Sequence, residues 1–282
     1  MAKVSKAVLI TGCSTGIGRA TAERMAANGW TVYATARRIE SIADLESKGC
    51  KLLALDVCDS ASIRAAVTTI EAAEGAVGVL VNNAGYGQEG AIEEVPMAEV
   101  RSQFETNVFG LLELTKLVLP GMRAQGWGRV INVGSMGGRL TFPGGGIYHA
   151  SKYAVEAISD ALRFEVRGFG IKVSLIEPGF IRTEWSDAAI KSMGTGAGPG
   201  PYAAFNRSVA ANVANAYSGA LSRLSRGPEA VAAAIEHAAG SRRPRTRYAV
   251  APSATLLIKT RRWLPDPIWD AILRRQYSTP RR

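Results

Sequence analysis

Three residues carry the chemistry most plainly. Tyr148 and Lys152 stand four residues apart in GIYHASKYAVEAISDAL, and Ser135 lies thirteen residues before the tyrosine. Four residues is about one helical turn, so the two side chains share a helix face. A phenol ordinarily titrates near ~10 and exchanges protons poorly at neutral pH. An ammonium beside it favours the phenolate and makes the tyrosine usable as a general acid/base. A serine hydroxyl can hold a carbonyl against that phenol. Tyr-x-x-x-Lys also arises by chance on helices, so its weight depends on what surrounds it.

The N-terminus supplies a second constellation. KAVLIT (6–11) reads as a buried strand, Gly12-Cys-Ser14-Thr15-Gly16-Ile17-Gly18 follows at once, and RATAERMAANG reads as a helix stopped by Asn28-Gly29. A strand, a glycine-rich turn and a helix N-terminus make an anion site from backbone N–H groups and the helix dipole. Glycines let that backbone approach a pyrophosphate closely. The spacing is G-x-x-x-G-x-G rather than the common G-x-G-x-x-G.

These residues need elements to position them. Strands are expected near 6–11, 30–35, 51–55, 77–82, 129–134, 171–176 and 246–250. Helices are expected between them, near 16–28, 39–48, 59–74, 98–126, 149–169 and 228–239. Such alternation predicts an α/β fold: one Rossmann-like domain over 1–282, a doubly wound, parallel, seven-stranded sheet with helices on both faces. Ligands then bind beyond the carboxyl ends of the strands. Gly12, Ala36, Asp56, Asn82, Ser135 and Pro178 each fall just after a strand.

With these marks in order, the chain resembles the short-chain dehydrogenase/reductase family. The resemblance rests on Thr11-Gly12-x-x-x-Gly16-Ile-Gly18, Asp56-Val57, Asn82-Asn83-Ala84-Gly85, Asn107 in FETNVFG, Ser135, Tyr148-x-x-x-Lys152, and Pro178-Gly179 with Thr183. It covers roughly residues 4–183. VYATARR, INVGSMGG and ALRFEVRGFGIKVSLIEPGF look most like the branch around 17β-hydroxysteroid and retinol dehydrogenases. The resemblance implies an oxidoreductase acting on CH–OH groups. In it Tyr148 transfers the proton, Lys152 and the positive nicotinamide lower the tyrosine's pKa, Lys152 also bonds the nicotinamide ribose, Ser135 polarises the carbonyl, and Asn107 holds a water that links Lys152 to solvent. It further implies cofactor contacts from Gly12, Ser14, Thr15, Gly16, Ile17, Gly18, Asp56, Val57, Asn83, Ala84, Gly85, Pro178, Gly179, Ile181 and Thr183. Asn82 is expected to be structural and close to the cofactor.

Cofactor choice follows from the second strand. An acidic residue at its end would bind the 2′-hydroxyl of NAD. Here the strand ends in Ala36, followed by Arg37 and Arg38. Nothing repels a 2′-phosphate and two guanidiniums can grip one, so NADP(H) is expected over NAD(H). The bland alternative is that both arginines are solvated surface charge.

Substrate walls are expected from 136–146 and from 180–226, within which 184–226, a helical segment with Gly/Pro punctuation, reads as a mobile lid. Phe142, Phe180, Trp185, Met193, Tyr202 and Phe205 are candidate lining residues, with Ser135 and Tyr148 at the reacting centre. They suit a steroid, retinoid or long-chain alcohol or carbonyl. A catalytically silent NADP-binding module, a membrane-associated lipid carrier, and a reductase of small polar carbonyls remain as alternatives.

Of the formal charge of +10, eleven basic residues against two aspartates lie between 242 and 282. In the extension over 252–282, TLLIKTRRWLPDPIWDAILRRQY interleaves them with Trp and Leu, and Asp266-Pro267 is expected to open a short helix. One reading is a weak contact with an anionic membrane surface; the other is a tail covering the core or an oligomer contact. No nucleic-acid motif accompanies the charge. Homo-oligomers, dimer or tetramer, are implied by the resemblance. Cys13, Cys50 and Cys58 lack metal spacing, and His149 and His237 are too separated for a metal site, so no metal is expected. His149 is given no role. Cys13, inside the turn, reads as inert or as oxidation-sensitive. The lack of an 18-residue apolar span and of a leader before KAVLIT predicts a cytoplasmic protein, with peripheral membrane contact left open.

Overall fold

Seven parallel strands form one sheet in the order β3-β2-β1-β4-β5-β6-β7. They are β1 (Val8–Ile10), β2 (Val32–Ala36), β3 (Lys51–Ala54), β4 (Val79–Asn82), β5 (Gly128–Val133), β6 (Ile171–Pro178) and β7 (Arg247–Val250). The computed structural model describes residues 4–193, 200–218 and 220–280. The strand order reverses between β1 and β4, whose register sets Ile10 beside Val81. A crevice opens at that reversal, beyond the strands' carboxyl ends.

The inner strands are apolar on both faces because helices cover both. Val8, Ile10, Val79, Val81, Ile131 and Val133 point into one core, with Ala22 and Met25 of α1 (Gly16–Ala27) and Val231 and Ile235 of α8 (Pro228–Gly240). Leu9, Leu80 and Val130 point into the other, with Ile63 and Ile70 of α2 (Ser60–Glu74) and Leu114 and Val118 of α4 (Gly110–Ala124). Alternate residues of one inner strand thus feed opposite cores, while the edge strands β3 and β7 keep exposed positions at Lys51, Ala54 and Ala249.

Local structure departs from expectation in several places. The helix expected at 98–126 is broken: α3 (Met97–Phe104) passes through a π-turn at Glu105–Phe109 into α4. The segment Ile39–Lys48 is a 3₁₀ helix, closed by Gly49 in the left-handed region at φ 89°. The helix expected at 149–169, α5, runs Gly146–Glu165, one turn earlier than expected, so Tyr148 lies in its first turn. After it come α6 (Trp185–Ser192) and α7 (Ala203–Ser218). Residues 194–199 of the glycine-rich break lie outside the described residues.

The extension holds two helices, α9 (Pro252–Trp263), which the sequence reading lacks, and α10 (Asp266–Arg274). Asp266 does not cap α10. Pro265 occupies the cap, and the Asp266 carboxylate accepts from Arg261 at the end of α9. Trp269 is the anchor, 6% exposed, with the Arg261 guanidinium 5.7 Å from its ring.

Candidate active site

The phosphate turn is shaped by backbone geometry that only glycine takes easily. Gly12 and Gly16 have φ of 71° and 57°, in the left-handed region. The N-cap of α1, Thr15, makes no side-chain cap bond, and no acidic residue stands in the first turn. Its amides and the positive end of its dipole are therefore left for an anion. Asn83 holds the turn from behind, its Nδ2 donating to the carbonyls of Thr11 at 2.8 Å and Gly12 at 3.0 Å. Gly18 does not reach the cavity wall. A Cβ there would stand 2.2 Å from the Gly12 carbonyl oxygen and 2.4 Å from Asn83 Nδ2. Its glycine serves the packing of α1 on the turn.

One cavity of about 1130 Å³ runs from this turn across the strand ends. Ser14, Thr15, Gly16, Ile17, Asp56, Val57, Ala84, Gly85, Pro178, Gly179, Ile181 and Thr183 lie along its wall with Gly12 and Asn83. So do Ala36 and Arg37, whereas Arg38 does not. Asn82 is also off the wall, its amide donating to Thr115 and Asn132. The Asp56 carboxylate accepts from the Cys58 amide at 2.9 Å, which orients it. Cys13 is fully buried and its thiol is pushed up to about 12 by burial. That favours the inert reading, because a thiol held neutral is a poor nucleophile.

At the middle of the cavity stand Ser135, Tyr148 and Lys152. Ser135 follows β5 and opens a short 3₁₀ turn, its oxygen accepting from the Gly137 amide at 2.9 Å. Its hydroxyl lies near enough to the Tyr148 phenol to oppose the rise of the phenol's pKa. Lys152 Nζ sits 5.9 Å from the Tyr148 ring centroid and donates to the Val133 carbonyl at 2.9 Å. Burial pushes Lys152 down to about 8. The phenol is not held low. Burial raises it to about 12, Ser135 opposes that rise, and the charge of Glu89 adds to it. The expected lowering by Lys152 is thus missing here, because the ammonium is itself desolvated and engaged by a carbonyl.

Asn107 lies behind the wall, in the π-turn. Its Nδ2 donates to Tyr86 O and Ser151 Oγ, both at 3.0 Å, and its Oδ1 accepts from Tyr86 N at 3.2 Å. A Cβ on Gly85 would lie 3.0 Å from Asn107 Oδ1 and 3.6 Å from Lys152 Nζ, so Gly85 keeps these two polar groups within reach of one another. A π-turn at such a point is a common device of functional sites.

His149, given no role from sequence, is a buried strut. Its Nδ1 meets the Gly137 carbonyl at 2.9 Å and its Nε2 accepts from the Phe142 amide at 3.3 Å. The ring is therefore the neutral Nδ1–H tautomer, and burial pushes its pKa down to about 4. It ties together the two halves of the β5–α5 connection, the one that follows Ser135 and the one that carries Phe142.

The far end of the cavity is apolar. Trp185 packs 5.3 Å from the Tyr148 ring, and Phe142 and Phe180 stand beside it. Met193, Tyr202 and Phe205 do not line it; Tyr202 is instead spent on Glu93, at 2.5 Å. The face that α7 presents is Val209, Asn212, Val213 and Ala216, three and four residues apart. The extension closes the cavity: Leu256 and Leu257 of α9, Trp269, Ile272 and Leu273 of α10, and Tyr277. Trp269 lies 6.2 Å from Phe142. Sequence reasoning missed this wall, though the alternation of apolar residues in PIWDAIL was its signal. Arg139, the one charged residue in 136–146, turns away to Glu177 at 3.1 Å. Also missed was Glu89, which no motif marks.

The family model described as short chain dehydrogenase matches residues 6–193. The chain belongs to that family of oxidoreductases. It is 37% identical, over 96% of its length and 97% of the other, to a 3-ketodihydrosphingosine reductase of Bacteroides thetaiotaomicron. It is 34% identical to retinol dehydrogenase 16 of Rattus norvegicus, covering 95% of this chain and 87% of that one. The solved structure of a serine dehydrogenase complexed with NADP+ superposes with a TM-score of 0.75 at 27% identity, over 87% of this chain and 94% of the other.

Proposed function

We propose that this protein is an NADP(H)-dependent oxidoreductase that interconverts a hydrophobic alcohol, of steroid, retinoid or long-chain type, and its carbonyl. The observation that carries the reading is one continuous cavity with a phosphate turn at one end, apolar walls at the other, and Ser135, Tyr148 and Lys152 at the junction. The open amides of the Gly12–Gly16 turn suit a pyrophosphate, and Ala36 with Arg37 suits a 2′-phosphate. The NADP+ complex of the serine dehydrogenase supports the same cofactor. The activities named for the two relatives support an apolar substrate.

When bound, the nicotinamide supplies or accepts the hydride. Tyr148 Oη gives the proton to the substrate oxygen in reduction and takes it in oxidation. Ser135 holds that oxygen against the phenol and stabilises charge growing on it. Lys152, a buried cation, favours the phenolate once a second positive charge joins it. Asn107 positions the loop at Tyr86 and the surroundings of Lys152. The helices α6 and α7 and the extension exclude water from the apolar end. We extend the proposal to a peripheral membrane contact at the corner of α9 and α10, where Trp263 is 80% exposed beside Arg262. Among the described residues no helix is long and apolar enough to cross a membrane.

The test is NADPH- and NADH-linked turnover, followed by loss of the reduced-nicotinamide absorbance, over steroid, retinoid, long-chain and small polar carbonyls. NADPH-linked reduction of an apolar member, abolished in Tyr148→Phe, is expected. Cofactor binding with equal turnover in Tyr148→Phe would overturn the assignment.

A further inference from the structure

A buried acid stands in the cavity with nothing to neutralise it. Glu89 is 6% exposed and lines the cavity together with Tyr148 and Tyr277. It sits on the loop after β4, whose backbone is fixed on both sides. Glu89 N is held by Ser192 Oγ at 3.0 Å, and Gly90 N donates to the Gly144 carbonyl at 2.8 Å. Among the described residues its carboxylate has neither a hydrogen bond nor an ion pair. It is not one of the sealed, unpaired side-chain groups either; those are Arg129 Nε and Glu156 Oε1. Its oxygens therefore face the open space of the cavity.

Among the described residues no cation answers this group. Lys152 is turned to the Val133 carbonyl. His149 is neutral and both its ring nitrogens are engaged. Arg139 is turned to Glu177. A carboxylate buried without a partner is costly, and the cost is offset by a cation or a strong donor. The position is defined as well. A Cβ on Gly145 would lie 3.1 Å from Glu89 Oε2 and 2.7 Å from His149 Nε2, directly beside the catalytic turn of α5. Glu89 shares the cavity with Tyr148 and Tyr277, and its charge raises both phenols.

We infer that Glu89 binds a protonated amine of the substrate, and that the substrate class is a long-chain amino alcohol or amino ketone whose ammonium lies within a few bonds of the reacting carbon. The inference rests on the proposed function, since it names the substrate for the same site. The alkyl chain runs on toward Phe142 and Trp269, and the ammonium turns onto Glu89. A neutral lipid with a hydrogen atom at that position would leave the carboxyl unpaired.

The test uses the full chain with saturating NADP+. Equilibrium binding is measured for three long-chain alcohols that differ at one carbon next to the carbinol, bearing an amine, a hydroxyl or hydrogen. The corresponding three ketones are measured for NADPH-linked turnover. Wild type should favour the amine over hydrogen by at least tenfold in both Kd and kcat/KM. Glu89→Gln should collapse that ratio toward one, and unaltered NADPH affinity of the variant shows that it folds. Equal binding of the three alcohols by wild type, preference for the hydroxyl, or an amine preference that survives Glu89→Gln overturns the inference. Turnover of the hydrogen-bearing ketone as fast as the amino ketone would refute the inference while sparing the proposed function. A Glu89-dependent binding preference with no turnover of any ketone would support the inference and refute the proposed function.

Discussion

Arg37→Ala should separate the two nicotinamide cofactors. Arg37 follows the last residue of β2, lies on the cavity wall, and makes no ion pair among the described residues. Its guanidinium is exposed, so it begins hydrated and unspent. A charge-assisted hydrogen bond contributes about 1.5–3 kcal/mol. Exposure and salt, with a Debye length of about 8 Å at physiological ionic strength, place Arg37 at the lower end of that range. About 1.4 kcal/mol is a factor of ten. The variant should therefore lose about tenfold in kcat/KM for NADPH and remain within about twofold for NADH. The NADPH deficit should narrow as salt rises, because screening already weakens the wild-type contact. Arg38→Ala, off the wall, should change the ratio far less. Ala36→Asp on the same background should push preference toward NADH, since a carboxylate there repels a phosphate and accepts from a ribose hydroxyl. Steady-state kinetics with both cofactors at two salt concentrations decides it. An equal loss with NADPH and NADH would refute the reasoning, because Arg37 would then be holding something common to both, such as the turn itself.

Other perturbations reach the rest of the site. Glu89 has a folded pKa of about 8 against 4.5 when free, so the folded protein binds more protons between those values and stability falls as pH rises through that window. Glu89→Gln should flatten the fall, by a few kcal/mol between about pH 5 and pH 8; thermal melts of both proteins across that range check it, and parallel curves would show that the group is not buried uncompensated. Trp269→Ala removes the one buried side chain of α10, a change of about 3–5 kcal/mol in docking energy. It should raise KM for apolar substrates at least tenfold, leave NADPH affinity in place, and expose the tail beyond Trp263 to limited proteolysis. Gly18→Ala puts a Cβ 2.2 Å from the Gly12 carbonyl and should destabilise the turn by roughly 3 kcal/mol, with binding of NADPH and NADH lost together in titrations.

The chemical half of the site was legible because its relations are local to single elements. Tyr148 and Lys152 share a face of α5 by spacing alone, and the turn after β1 carries its glycines where positive φ requires them. The strand ends line up because parallel β-α units leave their loops at one edge of the sheet. What failed was anything set by packing between distant elements. Nothing in FETNVFG marks the π-turn that sets Asn107 beside Gly85. The ammonium of Lys152 was expected to lower the tyrosine, but charge depends on burial and partners, and the Val133 carbonyl lies on a different element.

The C-terminal charge shows the same limit from the other side. Its pattern of Trp, Leu and Arg states that an amphipathic face exists and is silent on what covers it. In the structure the apolar face is divided. Trp269, Ile272 and Leu273 turn into the cavity, while Trp263 stays outside. The charge is divided as well. Arg247 is bound to Glu156 and Asp160, and Arg261 to Asp266, so part of the basic excess is structural. Gly179 lies so close to α9 that a Cβ would stand 2.3 Å from Ser253 Oγ, and the Phe180 amide donates to that same hydroxyl at 2.9 Å. The wall of the substrate end is thereby tied to the loop that borders the cofactor end. Leu256 and Leu257 of that wall thus ride on an element, α9, anchored directly on the Pro178–Thr183 loop. The substrate wall and that loop are therefore joined through Ser253, a residue that is itself off the cavity wall.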